Sequence, residues 1–97
     1  MAISPLKNTW KKSETLSLAW RVKNPDDGNP LNFSVYKVQD GVETLLEQDM
    51  NAMQFSTNLD SIFMDQDTSK FSLKVKAYSI DKTITGEAET SVLKLIP

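Results

Sequence analysis

The chain has 97 residues, 39% of them hydrophobic and 25% charged, the size and composition of one globular domain that buries roughly 60% or more of its unfolded surface. It contains no cysteine and no histidine, which excludes disulfide frameworks, thiolate metal sites, cysteine nucleophiles and the imidazole base of a serine triad, and leaves no cofactor to expect. Eleven basic residues against 13 acidic ones give a net charge of -2 and a pI near 5.0, and Lys11-Lys12 is the only adjacent basic pair, so nucleic acid is not an expected partner.

No window approaches the ~20 apolar residues that cross a bilayer, and no apolar signal region stands at the N-terminus, so membrane insertion is not expected. Along the chain the dominant signal is period-two alternation in short segments, the mark of half-buried antiparallel strands. Leu6 to Trp10, after Pro5, reads as an edge strand. In Thr15 to Val22, Leu16, Leu18, Trp20 and Val22 face one way and Ser17, Ala19 and Arg21 the other. Lys23 to Pro30 is dense in Pro, Asp, Asn and Gly and reads as a loop. Leu31 to Val38 follows as a strand with Leu31, Phe33 and Val35 on one face and Tyr36 and Val38 on the other.

Asp40-Gly41 suits the positive φ angles of a two-residue hairpin turn leading into Val42 to Leu46. Met53, Phe55 and Thr57 alternate towards Leu59. Asp60 to Lys70 sets Asp65, Asp67, Thr68 and Ser69 around Ile62-Phe63-Met64 and reads as a loop with one helical turn. From Phe71 the alternation returns most strongly, with Phe71, Leu73, Val75 and Ala77 inward and Ser72, Lys74 and Lys76 outward. Asp81 to Gly86 is a loop, and Ala88 to Ile96 is the last strand before Pro97. The count is seven strands spaced at roughly 8 to 12 residues, which indicates an all-β sandwich or small barrel. The expected core includes Leu16, Leu18, Trp20, Val35, Phe71, Leu73 and Val75.

Two motifs carry a family resemblance. Leu16-x-Leu18-x-Trp20, followed by a Pro/Asp/Gly loop, is similar to the tryptophan strand of fibronectin type III domains, and Phe71-x-Leu73-x-Val75-x-Ala77 resembles their sixth strand. Tryptophan on the second strand, with no cysteine, separates the chain from disulfide-bonded immunoglobulin domains. The resemblance spans nearly all of residues 1–97 as a single domain, and it implies a seven-strand, two-sheet antiparallel Ig-like β-sandwich of fibronectin type III topology. Phe71 stands where many members have tyrosine, the run from Leu59 to Phe71 is longer than usual, and Asp81-Lys82-Thr83-Ile84-Thr85-Gly86 holds no Arg-Gly-Asp. Phe33-x-Val35-Tyr36-Lys37 resembles modules of secreted bacterial polysaccharide-degrading enzymes and surface proteins.

What the resemblance implies for function is a non-catalytic, monomeric accessory module of a larger secreted or cell-surface protein, such as a glycosidase, whose partners are neighbouring domains. Two other readings stand beside it: a carbohydrate-binding module, and protein recognition by the loops at one end. Trp10, Tyr36 and Tyr78 are the candidate ligand contacts, since exposed aromatic rings stack on sugar faces, although filling a half-buried sheet face is the ordinary role of such rings. Trp20, in phase with Leu16 and Leu18, reads as core. Asp26 with Asp27, and Asp65 with Asp67, are conceivable calcium ligands but match no EF-hand loop and read as turn-capping carboxylates. Asn32-Phe33-Ser34 fits a glycosylation acceptor but falls inside a strand. Lys74 and Lys76 read as a solvated sheet face.

Overall fold

The computed structural model describes residues 2–5, 7–21, 32–64, 69–78 and 84–97, and the side chains of 7–21, 32–64, 69–78 and 86–97. Nine strands and one helical turn are formed among them: β1 (Ala2–Pro5), β2 (Thr9–Lys11), β3 (Thr15–Arg21), β4 (Asn32–Gln39), β5 (Val42–Met50), β6 (Gln54–Asn58), α1 (Leu59–Ile62), β7 (Ser69–Tyr78), β8 (Ile84–Glu89) and β9 (Leu93–Ile96). They build two sheets. One has the order β1-β3-β6; the other runs β2-β9-β7-β4-β5, with β8 also paired to β7.

The alternation that predicts the strands also fixes which face meets the other sheet, because successive side chains leave a strand on opposite sides. Leu16, Leu18 and Trp20 of β3 and Phe55 of β6 are buried from one sheet. Phe33 and Val35 of β4, Phe71, Leu73, Val75 and Ala77 of β7, and Leu93 and Leu95 of β9 are buried from the other. All seven expected core residues therefore lie in the core, and Trp20 meets Phe33 edge-on with centroids 5.5 Å apart, a favoured aromatic geometry. Met53, in phase with Phe55 by sequence, is instead exposed and precedes β6.

The hairpin between β4 and β5 forms as its turn residues dictate. Gln39 pairs with Val42, and the two residues between them, Asp40 and Gly41, have φ of 52° and 78°, as a type I′ turn requires. The strand β5 runs on to Met50, beyond the expected end at Leu46, and its pairing with β4 slips twice between Phe33 and Tyr36. Asp49, at φ 57°, sits in the stretch where the slip is absorbed, and aspartate is among the residues that tolerate that conformation.

The helical turn expected within Asp60 to Lys70 is α1, beginning one residue earlier. Its first N–H, from Leu59, donates to the Glu14 carbonyl, and the Phe63 N–H donates to the Leu59 carbonyl. Lys37 Nζ donates to the Ile62 carbonyl at 3.2 Å, placing a cation where the helical turn ends and its carbonyls are unpaired. Phe63 tucks beneath this corner against Phe71, centroids 4.8 Å apart.

Both terminal strands are interrupted. The strand expected over Leu6 to Trp10 forms only at its end, as β2, which lies parallel to β9; Ala2–Pro5, ahead of it, forms the unexpected β1, antiparallel to β3 on the other sheet, and Leu6 lies outside the described residues. At the other end, the single strand expected over Ala88 to Ile96 breaks at Thr90 to Val92. Residue numbers of paired partners sum to 163 along β7–β8 from Lys74 to Ala77 (74 with 89) but to 164 along β7–β9 (69 with 95), so one extra residue is inserted, a bulge. Thr90 seals the gap: its N–H donates to the Leu73 carbonyl, and the Leu73 N–H donates to its Oγ1 at 3.1 Å. The loop expected over Asp81 to Gly86 already contains the start of β8 at Ile84. Val22, the Lys23 to Pro30 loop, Leu31, and Asp26, Asp27, Asp65 and Asp67 lie outside the described residues.

Candidate functional site

Of the three aromatic residues expected to contact a ligand, the structure brings two together and removes one. Trp10 is only 3% exposed, so the expectation of an exposed ring is corrected. On the short strand β2 it points inward between exposed Thr9 and Lys11. Its Nε1 donates to the Lys7 carbonyl at 2.9 Å, and the Lys7 ammonium lies 4.7 Å from its ring centroid. The alternation Thr-Trp-Lys carries that signal, but three residues are too few to set the phase of an edge strand.

Tyr36 and Tyr78 stand on the outer face of the large sheet. β4 and β7 are antiparallel neighbours with Tyr36 opposite Lys74 and Asn32 opposite Tyr78, so the two rings share a face, and their hydroxyls lie 3.4 Å apart, either able to donate. Lys76, between Lys74 and Tyr78 on β7, sets its ammonium 4.6 Å from the Tyr36 centroid, a cation–π contact. Both tyrosines are half-buried. One face of the Tyr36 ring is thus already occupied, and its hydroxyl is already engaged.

Charge completes the face. Glu43, just past the hairpin turn on β5, reaches diagonally over β4 and receives Lys74 Nζ at 2.7 Å on one oxygen and Lys76 Nζ at 3.0 Å on the other. Glu89 of β8 approaches Lys74 at 3.7 Å from the opposite side and accepts the Ser72 hydroxyl. Ser72, expected to be outward, does point outward, yet it is only 6% exposed beneath that carboxylate. The lysines expected to be a solvated face are therefore a neutralised, cross-strand network. Sequence reading missed Glu43 as its hub, because nothing local marks a residue on one strand as the partner of two on the next but one.

The electrostatics follow from these contacts. Hydrogen bonds from Lys74 and then Lys76 hold the Glu43 carboxyl below its ordinary value, and the Glu43 bond raises Lys74. The Tyr36 hydroxyl, and then burial, push the Tyr78 phenol up to about 12. Glu14 is likewise lowered, by Lys7 and by the Lys11 N–H that donates to it at 2.7 Å, which pins the turn between β2 and β3. A face of phenol hydroxyls and paired charges supplies hydrogen-bonding groups for contact.

Asn32 opens β4 and is exposed, whereas Ser34 of the same triplet is buried within the sheet. Comparison with protein-family models, with curated proteins and with solved structures gives no match to this chain. The functional reading rests on the fold and on this face.

Proposed function

We propose that the chain is a non-catalytic module of the fibronectin type III kind, working as a spacer and interaction domain between neighbouring parts of a larger secreted or surface protein. Sheet order supports the kind. With β1 and β2 taken as one interrupted first strand, and β8 and β9 as one interrupted last strand, nine strands become seven. The β1 half of the first, with the second and fifth, then faces the third, fourth, sixth and seventh, and the β2 half of the first joins the seventh on that opposite sheet. The fourth pairs with the third, whereas constant-type immunoglobulin domains place their fourth strand on the opposite sheet. At the corner where many members use a tyrosine hydroxyl, the Phe63–Phe71 contact provides an apolar substitute.

The observation that carries the spacer role is the path of the chain. Ala2 pairs with Arg21 at one end of β3, while Lys11, two β2 residues on from Thr9, pairs with Ile96 beside the turn that leads into Thr15 at the other end. Ala2 and Ile96 thus lie at opposite poles of the sandwich, the arrangement that sets linked modules in series. Two copies joined end to end test this by small-angle scattering. A spacer gives a tandem whose maximum dimension is close to twice that of one copy, whereas a tandem folded side by side, no longer than one copy, argues against it.

The same reading expects the Tyr36 and Tyr78 resonances to stay put when neutral oligosaccharides are titrated to millimolar concentration. Saturable shifts at those two residues would move the assignment to a carbohydrate-binding module.

A further inference from the structure

The outer face of the large sheet divides into two halves of opposite character. On the β5-β4-β7-β8 side, Lys74 and Lys76 are both held by Glu43. On the β7-β9-β2 side, Lys70 of β7 is directly opposite Lys94 of β9, and Lys94 is next to Thr9 of β2. Like charges facing each other across a strand pair are unfavourable, and both residues are exposed. Among the described residues no carboxylate lies within ion-pair distance of either ammonium. Lys11, one step further along β2, is exposed on the same side as Thr9. An open cleft of about 260 Å³ lies here, lined by Ser69, Lys70, Lys94 and Leu95.

We propose that this cleft is a binding site for a doubly charged tetrahedral oxyanion, a phosphate or sulfate group, held between the Lys70 and Lys94 ammonium groups. The two lysines come from adjacent strands, whose backbones lie about 4.8 Å apart, so both side chains reach one small anion from the same side. A dianion neutralises both charges at once, which a single carboxylate does not, and a phosphate group carries close to two charges near neutral pH. Leu95, paired with Ser69 and buried with its side chain on the core face, borders the cleft at the next register position. The Ser69 hydroxyl accepts from Gln39 Nε2 and donates to the Lys70 carbonyl, so it holds the wall in place and the lysines supply the charge. In an acidic chain, an uncompensated lysine pair at the edge of a pocket marks a place where an anion is favoured.

The site is tested on the intact protein by two-dimensional amide NMR at low, matched ionic strength, with inorganic phosphate, sulfate, phenyl phosphate and chloride as separate titrants. Phosphate or sulfate should give saturable shifts centred on residues 69–70 and 94–95 with millimolar affinity, and chloride should give none. Phenyl phosphate distinguishes a site that admits a group carried on a larger molecule from one that takes the free ion; saturation by either supports the site. Lys94→Ala and Lys70→Gln should each weaken binding about fivefold, the scale of one exposed ion pair. Arg21→Ala, which removes the same charge at the far end of the small sheet, should leave it within about twofold. Linear shifts spread over all lysines and equal for every anion would overturn the site, as would full affinity in both lysine variants.

Discussion

At the scale of the residue, Trp20 decides most. It is 2% exposed, packs on Phe33, and its Nε1–H has no hydrogen-bond partner among the described residues. Trp20→Ala should destabilise the fold by about 3–5 kcal/mol, read from the midpoint of urea unfolding at unchanged slope. An orphaned buried donor carries a desolvation penalty of about 1–3 kcal/mol, so Trp20→Phe, which removes the donor but keeps an aromatic ring, should cost far less than the alanine variant. Equal losses for the two would show that the indole N–H is satisfied. The role of Trp20 was legible because Leu16 and Leu18 share its phase over a full strand. Trp10 was not, since its burial depends on β9 lying beside β2, a pairing of residues more than 80 positions apart.

Elements show where local pattern is sufficient and where it fails. β7 keeps the phase read from Phe71 onward but begins two residues earlier, at Ser69, inside the expected loop, and the Asp40-Gly41 turn forms as read, because a long strict alternation and a turn with demanding φ angles leave few alternatives. The breaks in the first and last strands escaped reading, since a one-residue bulge changes no local propensity and is visible only as a change of register against β7. Thr90 holds that break, and its hydroxyl oxygen is the acceptor for the buried Leu73 N–H. Thr90→Val keeps the shape and leaves that donor unpaired, so it should cost about 1–3 kcal/mol and raise the exchange rate of the Leu73 amide; unchanged exchange there would refute the seal.

The tyrosine–lysine face was half legible: Tyr36 and Tyr78 stood out by type, but their meeting, and Glu43 as hub, needed the strand order. Its pH signature has a definite sign. Glu43 and Glu14 titrate below 4.5 when folded, so the stability they contribute is fully present above 4.5 and is lost as pH falls through their folded values. Tyr78, raised from 10.0 to about 12, and Lys74, raised from 10.5, contribute stability below pH 10 that is lost as pH rises through their folded values. Ultraviolet titration of tyrosinate should show one phenol ionising near 12, and Tyr36→Phe should bring that midpoint back towards 10.

Taken whole, the molecule is two sheets closed on one interior, with both terminal strands split. β2 and β9 run parallel, so tension between the poles draws the two strands past each other and loads their hydrogen bonds in shear. The central claim is that Ala2 and Ile96 lie at opposite poles. Because the sequence has no cysteine, single cysteines placed at Ala2 and Pro97 take spin labels uniquely, and pulsed electron resonance then reads the distance between them. Six strand steps of β3 separate Arg21, the partner of Ala2, from Thr15, beyond which the turn leads to Lys11, the partner of Ile96, and at about 3.3 Å per residue this sets the poles roughly 20–25 Å apart. The account predicts one narrow distribution in that range, broadened only by the label linkers, and unchanged by Arg21→Ala. A distribution centred below about 15 Å, with the two ends side by side, would contradict it.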